Sequence, residues 1–600
     1  MAPLHLALVA ALGAQALAAA VRRAPLSSIT DEQWSAFNET VSGNLHNGEP
    51  MLAPCYARYN GQVQKPDLGQ CATVQAKGGD LNFATTQFGY YVQSQWGGCQ
   101  ATGEECTFGV IRPDILTPLL DTCEQGSVST KYVDARSVED VQRTLVFAGE
   151  NKLRLVVKNT GHDYMGRSSA PDSFGLWMHN MQPPIELNKD FTPDGCFESS
   201  GDSITFGAGQ QFGGIYDFVE ANGYRIAGGS SLTVGAAGGW ITGGGHSMLT
   251  NELGLGVDNV QQLKAVLPNG THVTANRCQN QDLFFALRGG GGGTFAVITE
   301  MTSRVHAKKD IQFVNMAFTN LGPLAQAKLM DILVSNGEKW AEEGWGGYIY
   351  CFSIATGIYI GTGLLTHEEA VESMQPLIKF ATTLNLGVVK VETTDNFRAG
   401  LEDFVSVQKI GIAPGSAWAL SSRIVKREHF AEEKQAELSS LLADFLGKQQ
   451  KPLEPSLQIL VLCLTMPTVY SKNIPESDRP GGPGAASISP HWRDGIWQAL
   501  HFRAYDGTIT NPKLVRQIAQ NAHEAMDPLR AFAPDSGAYI NEADPWEPDY
   551  INSFWGQENY ERLLRIQKEV DPENLLTVHR GVGWDENDER YRCYPDVDES

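Results

Sequence analysis

The sequence predicts an α+β fold with at least two domains, and three observations support this. Its 600 residues are more than a single hydrophobic core usually serves. From about residue 128, short β-branched strands and glycine-rich loops alternate with helical patterns. From about residue 309, amphipathic helical patterns at 324–339 and 367–383 alternate with longer strands such as 346–354. This second pattern predicts an antiparallel sheet covered by helices.

The chain divides into five predicted segments. The first, residues 1–20, is an uncharged apolar run that ends in small residues, which is the pattern of a signal peptide. The others are a cysteine-bearing extension (21–127), a first domain (128–308), a second domain (309–510) and a C-terminal segment of helix and loop (511–600). The signal peptide predicts a secreted, extracellular protein; a buried helix is the alternative reading of the apolar run.

The charge balance excludes two classes of partner. The formal net charge is −23, and no cluster of Lys and Arg of useful length occurs. Because nucleic acids and anionic membranes both require a basic patch, neither is expected as a partner. Beyond the first twenty residues, no stretch approaches the ~20 apolar residues of a membrane span. Glycosylation sequons begin at Asn38 and Asn269, and the second falls in a turn that should be exposed.

Ten cysteines in an exported chain permit disulfides, and none of them shows the spacing of a metal site. We expect bridges in the N-terminal extension, which is rich in turns and holds five of the ten: Cys55, Cys71, Cys99, Cys106 and Cys123. Cys351 and Cys463 lie in apolar strand-like contexts. They are predicted to be buried thiols or a pair in the core rather than reactive groups.

The most informative stretch is Lys158-Asn-Thr-Gly-His162-Asp-Tyr-Met-Gly-Arg-Ser-Ser169. Before it stand the apolar residues Leu153, Leu155, Val156 and Val157, which predict a buried strand, and the stretch itself predicts a turn. Such a loop can direct several backbone N–H groups at one anion. It contains a single histidine, His162, for which a plain hydrogen bond to its surroundings is the alternative to a chemical role.

Further motifs follow in order. They are the glycine-dense run 227–246, Leu255-Gly-Val-Asp-Asn-Val260, Asp282-Leu-Phe-Phe-Ala-Leu-Arg-Gly-Gly-Gly-Gly-Gly-Thr-Phe-Ala-Val-Ile298, and near the C-terminus Asn559-Tyr-Glu-Arg-Leu563 and Val570-Asp-Pro-Glu-Asn574. This order resembles the flavoproteins of the vanillyl-alcohol-oxidase type. It is most similar to their berberine-bridge-enzyme-like branch of secreted FAD-linked oxidoreductases.

The resemblance implies a two-domain flavoprotein. Its FAD-binding domain, of the PCMH type, would be discontinuous, with residues 511–600 rejoining residues 128–308, and the second domain would bind the substrate. In the family, the histidine at the position of His162 is bonded covalently to the flavin. A second bond comes in many members from a cysteine, where this chain has Ser231, so the resemblance implies FAD attached through His162 only. Val234 occupies the position at which valine admits oxygen in the family. The stretch 235–239 is one residue longer than the usual family spacing.

The resemblance also implies a set of residues around the cofactor. Besides His162, these are Asn159, Thr160, Gly161, Asp163, Gly166, Arg167, Ser168, Ser231, Val234, Gly235, Gly239, Gly243, Gly244, His246, Gly256, Val257, Val297, Tyr560 and Asn574. Ordinary packing is the alternative for His246, and a helix face and a helix cap are the alternatives for Tyr560 and Asn574. The chain has no Gly-x-Gly-x-x-Gly stretch, which argues independently against a Rossmann mode of binding.

A general base is also expected, since removal of a hydride from an alcohol must be accompanied by loss of a proton. The stretch Arg493-Asp-Gly-Ile-Trp-Gln-Ala-Leu-His501 looks like the strand on which relatives carry their base, and by that register His501 is the leading candidate. A histidine packed within a strand is the alternative. Tyr539 is the second candidate.

Together these inferences predict a secreted FAD-dependent oxidase. It would take a hydride from an alcohol, sugar, oligosaccharide or phenolic substrate and pass the electrons to molecular oxygen, which yields hydrogen peroxide. Two alternatives remain open. One is an FAD dehydrogenase or oxidative cyclase that uses another acceptor; the other is a secreted flavin-binding glycoprotein without turnover.

Overall fold

The computed structural model describes residues 23–107, 122–319, 321–353, 355–404, 415–447, 455–482 and 484–597. The predicted signal peptide, residues 1–20, lies outside these ranges. Among the described residues, no helix combines the length and the apolar character that crossing a bilayer requires.

The first domain is built on two sheets. The smaller one has four strands, in the order Leu45–Asn47, Lys131–Asp134, Phe174–Trp177 and Leu155–Lys158. Its first pair is antiparallel and the others are parallel. The larger sheet is antiparallel, in the order His272–Asn276, Val260–Val266, Val297–Arg304, Ser203–Gly207 and Glu186–Asn188. Two small sheets pair Tyr224–Arg225 with His306–Ala307, and join Gln62–Val63, Arg58–Tyr59 and Thr122–Cys123.

Helices complete the N-terminal half of the molecule. One of them spans Val138–Glu150; Ser137 and Asp140 form a capping box at its start, and its apolar face is buried. The other helices in this half are Asp31–Thr40, Leu68–Lys77, Leu81–Ala84, Phe212–Ala221, Thr250–Leu253, Gly256–Asn259 and Gln281–Leu287.

The second domain contains the predicted antiparallel sheet, which has seven strands. Their order is Glu392–Thr394, Ile311–Thr319, Ala355–Thr362, Gly346–Phe352, Ser456–Leu464, Gly495–Asp506 and Ser416–Lys426. Helices pack on one face of this sheet around a core of its own, which confirms the predicted layering. The helices of this region are Pro323–Glu342, His367–Ser373, Gln375–Leu384, Phe397–Gly400, Glu432–Gly447, Thr468–Asn473 and His491–Asp494.

One predicted helix is divided in the structure. The pattern at 367–383 predicts a single helix, but His367–Ser373 ends at Met374 and Gln375–Leu384 begins directly after it. Pro376 explains the break, because it has no N–H to continue the hydrogen bonds of the first helix and its ring favours the first turn of a new one. The C-terminal helices are Pro512–Ala525, Asp527–Phe532, Tyr550–Phe554 and Gln557–Val570.

The two faces of the central strands serve different cores. In strand Ser456–Leu464, Leu460 and Leu462 belong to the core under the helices, whereas Val461 and Cys463 belong to the core shared with the first domain. Cys351 lies on the helix side, so the structure places Cys351 and Cys463 on opposite faces of the sheet. Both are buried free thiols and not a disulfide pair.

Four disulfides are formed, and the predicted bridges of the extension are confirmed. Two of them close within the extension, Cys55–Cys71 and Cys106–Cys123. A third, Cys99–Cys593, ties the extension to the C-terminal segment, and the fourth is Cys196–Cys278.

The extension wraps around the first domain. The Phe37 ring stacks on Phe147 with a centroid distance of 4.1 Å, and Phe88 stacks on Tyr132 at 3.8 Å. The backbone N–H of Val92 then donates to the carbonyl of Gly161 at 3.0 Å. The extension therefore reaches the loop that contains His162.

Candidate active site

A large cavity lies between the first domain and the seven-stranded sheet. It encloses about 1650 Å³ of space between atoms, part of it open to solvent, which is more than one drug-sized ligand needs. Fourteen of the predicted site residues line it: Asn159, Thr160, Gly161, His162, Asp163, Arg167, Ser168, Ser231, Val234, Gly235, Gly239, His246, Val297 and Tyr539. The cavity thus brings the first loop, the glycine-dense run and the C-terminal segment together.

Asp163 shapes the loop from within. Its carboxylate accepts hydrogen bonds from the backbone N–H of Met165 at 3.1 Å and of Arg167, and it pairs with the Arg167 guanidinium at 3.1 Å. A free carboxylate would repel a pyrophosphate, but this one is neutralised by its own loop. Asp163 therefore folds the loop, and a cofactor phosphate would meet backbone and neutral polar groups instead.

Aromatic side chains from distant segments hold the loop in place. The indole N–H of Trp96, in the extension, donates to the carbonyl of Tyr164 at 3.0 Å, and the hydroxyl of Tyr594 donates to the carbonyl of Met165 at 2.5 Å. Gly166, which was expected to contact the cofactor, does not line the cavity. It has φ +71°, and a Cβ at this position would lie 2.3 Å from the Trp96 ring, so glycine is required here for packing.

His162 is held by a residue of the glycine-dense run. Its Nε2 lies 2.8 Å from the hydroxyl of Thr233. Desolvation lowers the pKa of His162 to about 4, so the imidazole is neutral near pH 7. With Nε2 engaged by Thr233, Nδ1 is the nitrogen left free to form a bond. The sequence analysis did not identify Thr233, although it lies two residues after Ser231.

The run 235–239 is kinked: the turn Ala236–Trp240 is interrupted at Gly238, which has non-helical φ −93° and ψ −135°. Gly235 packs against the Asn159 side chain, since a Cβ at position 235 would lie 2.5 Å from that amide. A Cβ on Gly239 would meet nothing within 4 Å. This glycine therefore leaves open space along the wall of the cavity.

These walls fit an FAD molecule. The side-chain oxygens Asn159 Oδ1 and Ser168 Oγ are buried without a hydrogen-bond partner in the described part of the chain. Both residues line the cavity beside His162, where a ligand would supply the missing partner. Neutral polar groups and glycine backbone next to one neutral histidine suit the phosphates and ribityl chain of a dinucleotide better than they suit an apolar ligand.

Six more predicted cofactor residues do not line the cavity: Gly243, Gly244, Gly256, Val257, Tyr560 and Asn574. Close packing accounts for the glycines; for example, a Cβ on Gly243 would lie 2.3 Å from the Asn541 amide, and one on Gly256 would lie 2.5 Å from the Trp240 ring. Val257 is fully buried in the core.

The positions of Tyr560 and Asn574 agree with the alternatives given above, a helix face for Tyr560 and a helix end for Asn574. The Tyr560 ring packs against Trp555 with a centroid distance of 5.5 Å on the helix Gln557–Val570. Asn574 adopts φ +58° after that helix, donates to the carbonyl of Gly583 at 3.1 Å and accepts from Gln567 at 2.6 Å. Both residues support the C-terminal segment.

His501 does not reach the cavity, which corrects its assignment as the leading base. In the strand Gly495–Asp506, Leu500 and Phe502 line the cavity, so His501 points to the opposite face, where its ring packs on Phe445 beneath the helices. Burial lowers the pKa of His501 to about 3. Neither ring nitrogen has a hydrogen-bond partner among the described residues.

The burial of the unpaired His501 imidazole leads to a testable prediction. We expect His501→Leu to leave the rate of flavin reduction unchanged, whereas loss of a true general base would lower it roughly 10²- to 10⁴-fold. The free energy of unfolding should stay the same or rise by up to about 1–3 kcal/mol, because an unsatisfied buried polar ring is replaced by an apolar chain. Stopped-flow reduction and denaturant unfolding measure the two effects. A reduction rate that falls 10²-fold would return His501 to the active site.

The carboxylate of Glu542, a residue that was not predicted from the sequence, lies on the cavity wall. Glu542 Oε2 is 3.2 Å from His246 Nε2 and 3.3 Å from the amide nitrogen of Gln498. His246 Nδ1 in turn lies 3.4 Å from the Tyr348 hydroxyl. Glu542 lies three residues after Tyr539, but only the fold shows that it contacts His246 and Gln498.

Tyr539 lines the cavity as predicted. Its hydroxyl accepts hydrogen bonds from the backbone N–H of Gly245 at 3.3 Å and from the Asn541 amide at 2.7 Å. Burial and the nearby charge of Glu542 raise the pKa of Tyr539 above its usual range. The phenol therefore remains protonated near pH 7.

Two protein families match this chain in the regions that form the cavity. The family described as FAD binding domain matches residues 130–276, and the family described as berberine and berberine like matches residues 538–583. The first region contains His162 and the second contains Tyr539 and Glu542. The fold joins the two on one cavity.

Similar proteins extend the match to the whole chain. An FAD-linked oxidoreductase of Aspergillus flavipes is 32% identical over 576 residues, which cover 92% of each chain. A VAO-type flavoprotein of Myceliophthora thermophila C1, known from its crystal structure, has a TM-score of 0.77 at 25% identity, covering 94% of this chain and 97% of that chain. A variant of berberine bridge enzyme shares the fold, with a TM-score of 0.62 at 15% identity over 91% of this chain and 99% of that one.

Proposed function

Because the chain belongs to the FAD-linked oxidoreductases of the VAO and berberine-bridge-enzyme type, we propose that it is an exported oxidase. It takes a hydride from an alcohol, sugar or phenolic substrate and delivers the electrons to oxygen. The main support for this proposal is the set of residues that line the cavity. One wall is the loop with His162, and another holds a carboxylate among aromatic side chains. Flavin-dependent oxidation needs both a seat for the cofactor and an acceptor for a proton.

The FAD is bonded covalently through His162 alone. The neutral imidazole, held at Nε2 by Thr233, leaves Nδ1 as the nucleophilic nitrogen. Ser231 lines the same cavity, but a serine hydroxyl cannot form the thioether that a cysteine would supply. A covalent bond keeps the cofactor in a protein that is diluted outside the cell.

When bound, FAD supplies the two-electron acceptor for the substrate hydride. The side chains do the remaining work. Tyr164, Tyr350 and Phe502 line the cavity with rings that can pack on a substrate and exclude water from it. Arg167 is held by Asp163 and by the Asn541 oxygen at 2.8 Å, so it stiffens the wall between the loop and the C-terminal segment.

Oxygen is the proposed electron acceptor, for which Val234 is the support. Val234 lines the cavity at the position where family members with valine admit oxygen. A dehydrogenase or oxidative cyclase with another acceptor is the alternative, and Val234 counts against it. A flavin-binding protein without turnover is disfavoured, since Glu542 provides a proton acceptor on the cavity wall.

Export is proposed from three features of the chain. The apolar N-terminal segment has the pattern of a signal peptide, and four disulfides agree with an oxidising compartment. The sequon residue Asn269 lies exposed in a turn. Asn38 is the poorer acceptor, because its side chain lies on a helix and accepts a hydrogen bond from the N–H of Leu45 at 3.0 Å.

The experiment that tests this function mixes the secreted protein with panels of carbohydrates and phenolic alcohols. We expect at least one compound to bleach the flavin absorbance without oxygen and to release one hydrogen peroxide per turnover in air. Bleaching without peroxide would instead identify a dehydrogenase. If dithionite reduces the flavin but no compound bleaches it, the result would favour a flavin-binding protein without turnover.

A further inference from the structure

We propose that Glu542 is the catalytic base, the group that accepts the hydroxyl proton of the substrate. This inference rests on the proposed oxidation and adds the residue that completes it. Glu542 lies three residues after Tyr539 and is far in sequence from both His162 and the strand Gly495–Asp506. The fold brings it to the wall of the cavity.

The two oxygens of this carboxylate are in different situations. Oε2 lies 3.2 Å from His246 Nε2 and accepts a hydrogen bond from the Gln498 amide at 3.3 Å. Oε1 has no hydrogen-bond partner within the described ranges, and the side chain retains 19% of its exposure. Two neighbours therefore fix the direction of the carboxylate, and one oxygen remains free toward the cavity for a substrate hydroxyl.

The other titratable groups around Glu542 are poor proton acceptors near pH 7. Burial raises the pKa of Tyr164, Tyr539 and Cys463, and the charge of Glu542 raises each of them further. Burial likewise raises the pKa of Tyr348. All four keep their protons, so they can donate hydrogen bonds but not accept a proton from an alcohol.

The basic side chains that face this end of the cavity are already engaged. Arg167 pairs with Asp163 at 3.1 Å and donates to Asn541 at 2.8 Å. His246 contacts Glu542 through one nitrogen and Tyr348 through the other. No lysine lines the cavity in the part of the chain that the structure describes. With no lysine beside it in the described ranges and Arg167 paired with Asp163, the Glu542 carboxylate favours a neutral hydroxyl over an anion at this point.

The substrate C–H bond breaks and its hydride, with two electrons, passes to the bound FAD. The O–H bond breaks and its proton passes to Oε1 of Glu542, so the C–O single bond becomes a carbonyl. Oxygen then takes the hydride equivalent from the cofactor and the proton from Glu542 and leaves as hydrogen peroxide, which restores the carboxylate.

The test uses the holoprotein and para-nitrophenol, an aromatic hydroxyl compound that ionises near neutral pH. We expect the wild type to bind the neutral phenol roughly 10- to 100-fold more tightly than the phenolate, because only the phenol donates a hydrogen bond to the charged carboxylate. Glu542→Gln should abolish this preference, since a neutral amide does not repel the phenolate. Calorimetric titration below and above the ionisation of the phenol measures both affinities.

Glu561→Gln is the matched control, because Glu561 is exposed on the helix Gln557–Val570. It should bind both forms as the wild type does. The proposal is overturned if the wild type binds neither form or both equally, if Glu542→Gln keeps the preference, or if Tyr539→Phe removes it while Glu542→Gln does not. No turnover is needed, so a missing peroxide signal counts against the proposed oxidase and not against this assignment.

For any compound that reduces the wild type, Glu542→Gln should slow anaerobic flavin reduction roughly 10²- to 10⁴-fold. The amount of bound flavin and its visible spectrum should be retained. An unchanged rate would contradict the role of Glu542.

Discussion

His162→Ala should remove covalent FAD from this protein completely. Alanine offers no nucleophilic nitrogen, whereas the wild-type imidazole is neutral because desolvation lowers its pKa to about 4. Flavin fluorescence in a denaturing gel measures the effect: the wild-type band should fluoresce and the variant band should not. Some FAD should still bind without the bond, because Asn159, Ser168 and the glycine wall remain.

Ser231→Ala is the control for this result. Ser231 lines the same cavity, and its substitution removes only a hydroxyl. Its band should fluoresce as strongly as the wild type. Fluorescence that survives in His162→Ala would place the covalent bond elsewhere, and loss of fluorescence in Ser231→Ala would contradict attachment through His162 alone.

Gly166→Ala should have the second-largest effect, although Gly166 does not touch the cavity. Its φ of +71° strains any L-residue by about 1–2 kcal/mol. The added Cβ would lie 2.3 Å from the ring of Trp96, and overpacking of a buried ring adds about 1–3 kcal/mol. We expect destabilisation of about 2–5 kcal/mol and a loop that no longer presents His162 correctly. Denaturant unfolding and the covalent fraction of FAD measure both.

Gly43→Ala separates backbone strain from the clash. Gly43 has φ +82°, and a Cβ there would meet nothing within 4 Å. It should cost only the strain of about 1–2 kcal/mol and leave the covalent fraction of FAD intact. Equal effects of the two substitutions on FAD attachment would show that the contact with Trp96 does not matter.

The parts of the site that sequence reasoning found are those that lie within one contiguous motif. His162, Ser231 and Val234 belong to short stretches whose residue order carries the information, and all three line the cavity. The antiparallel sheet was likewise predictable, because long strands alternating with amphipathic helices leave few other arrangements.

The predictions that failed depended on how the chain packs in three dimensions. His501 was placed on the correct strand but on the wrong face, since a strand buried on both sides gives no polar alternation to tell the faces apart. Glu542 was missed because its neighbours His246 and Gln498 are 296 and 44 residues away in sequence. The family resemblance predicts cofactor contacts at Gly243 and Gly256, whereas a Cβ at either position would meet the protein's own side chains.

The most direct test of covalent attachment through His162 is the mass of one tryptic peptide. Cleavage after Lys158 and Arg167 releases residues 159–167, which contain His162 as their only histidine. We predict that this peptide from the native protein carries the mass of FAD and that fragmentation places it on His162. Recovery of the unmodified peptide, with all FAD released by denaturation, would contradict the covalent attachment on which the proposed cofactor site depends.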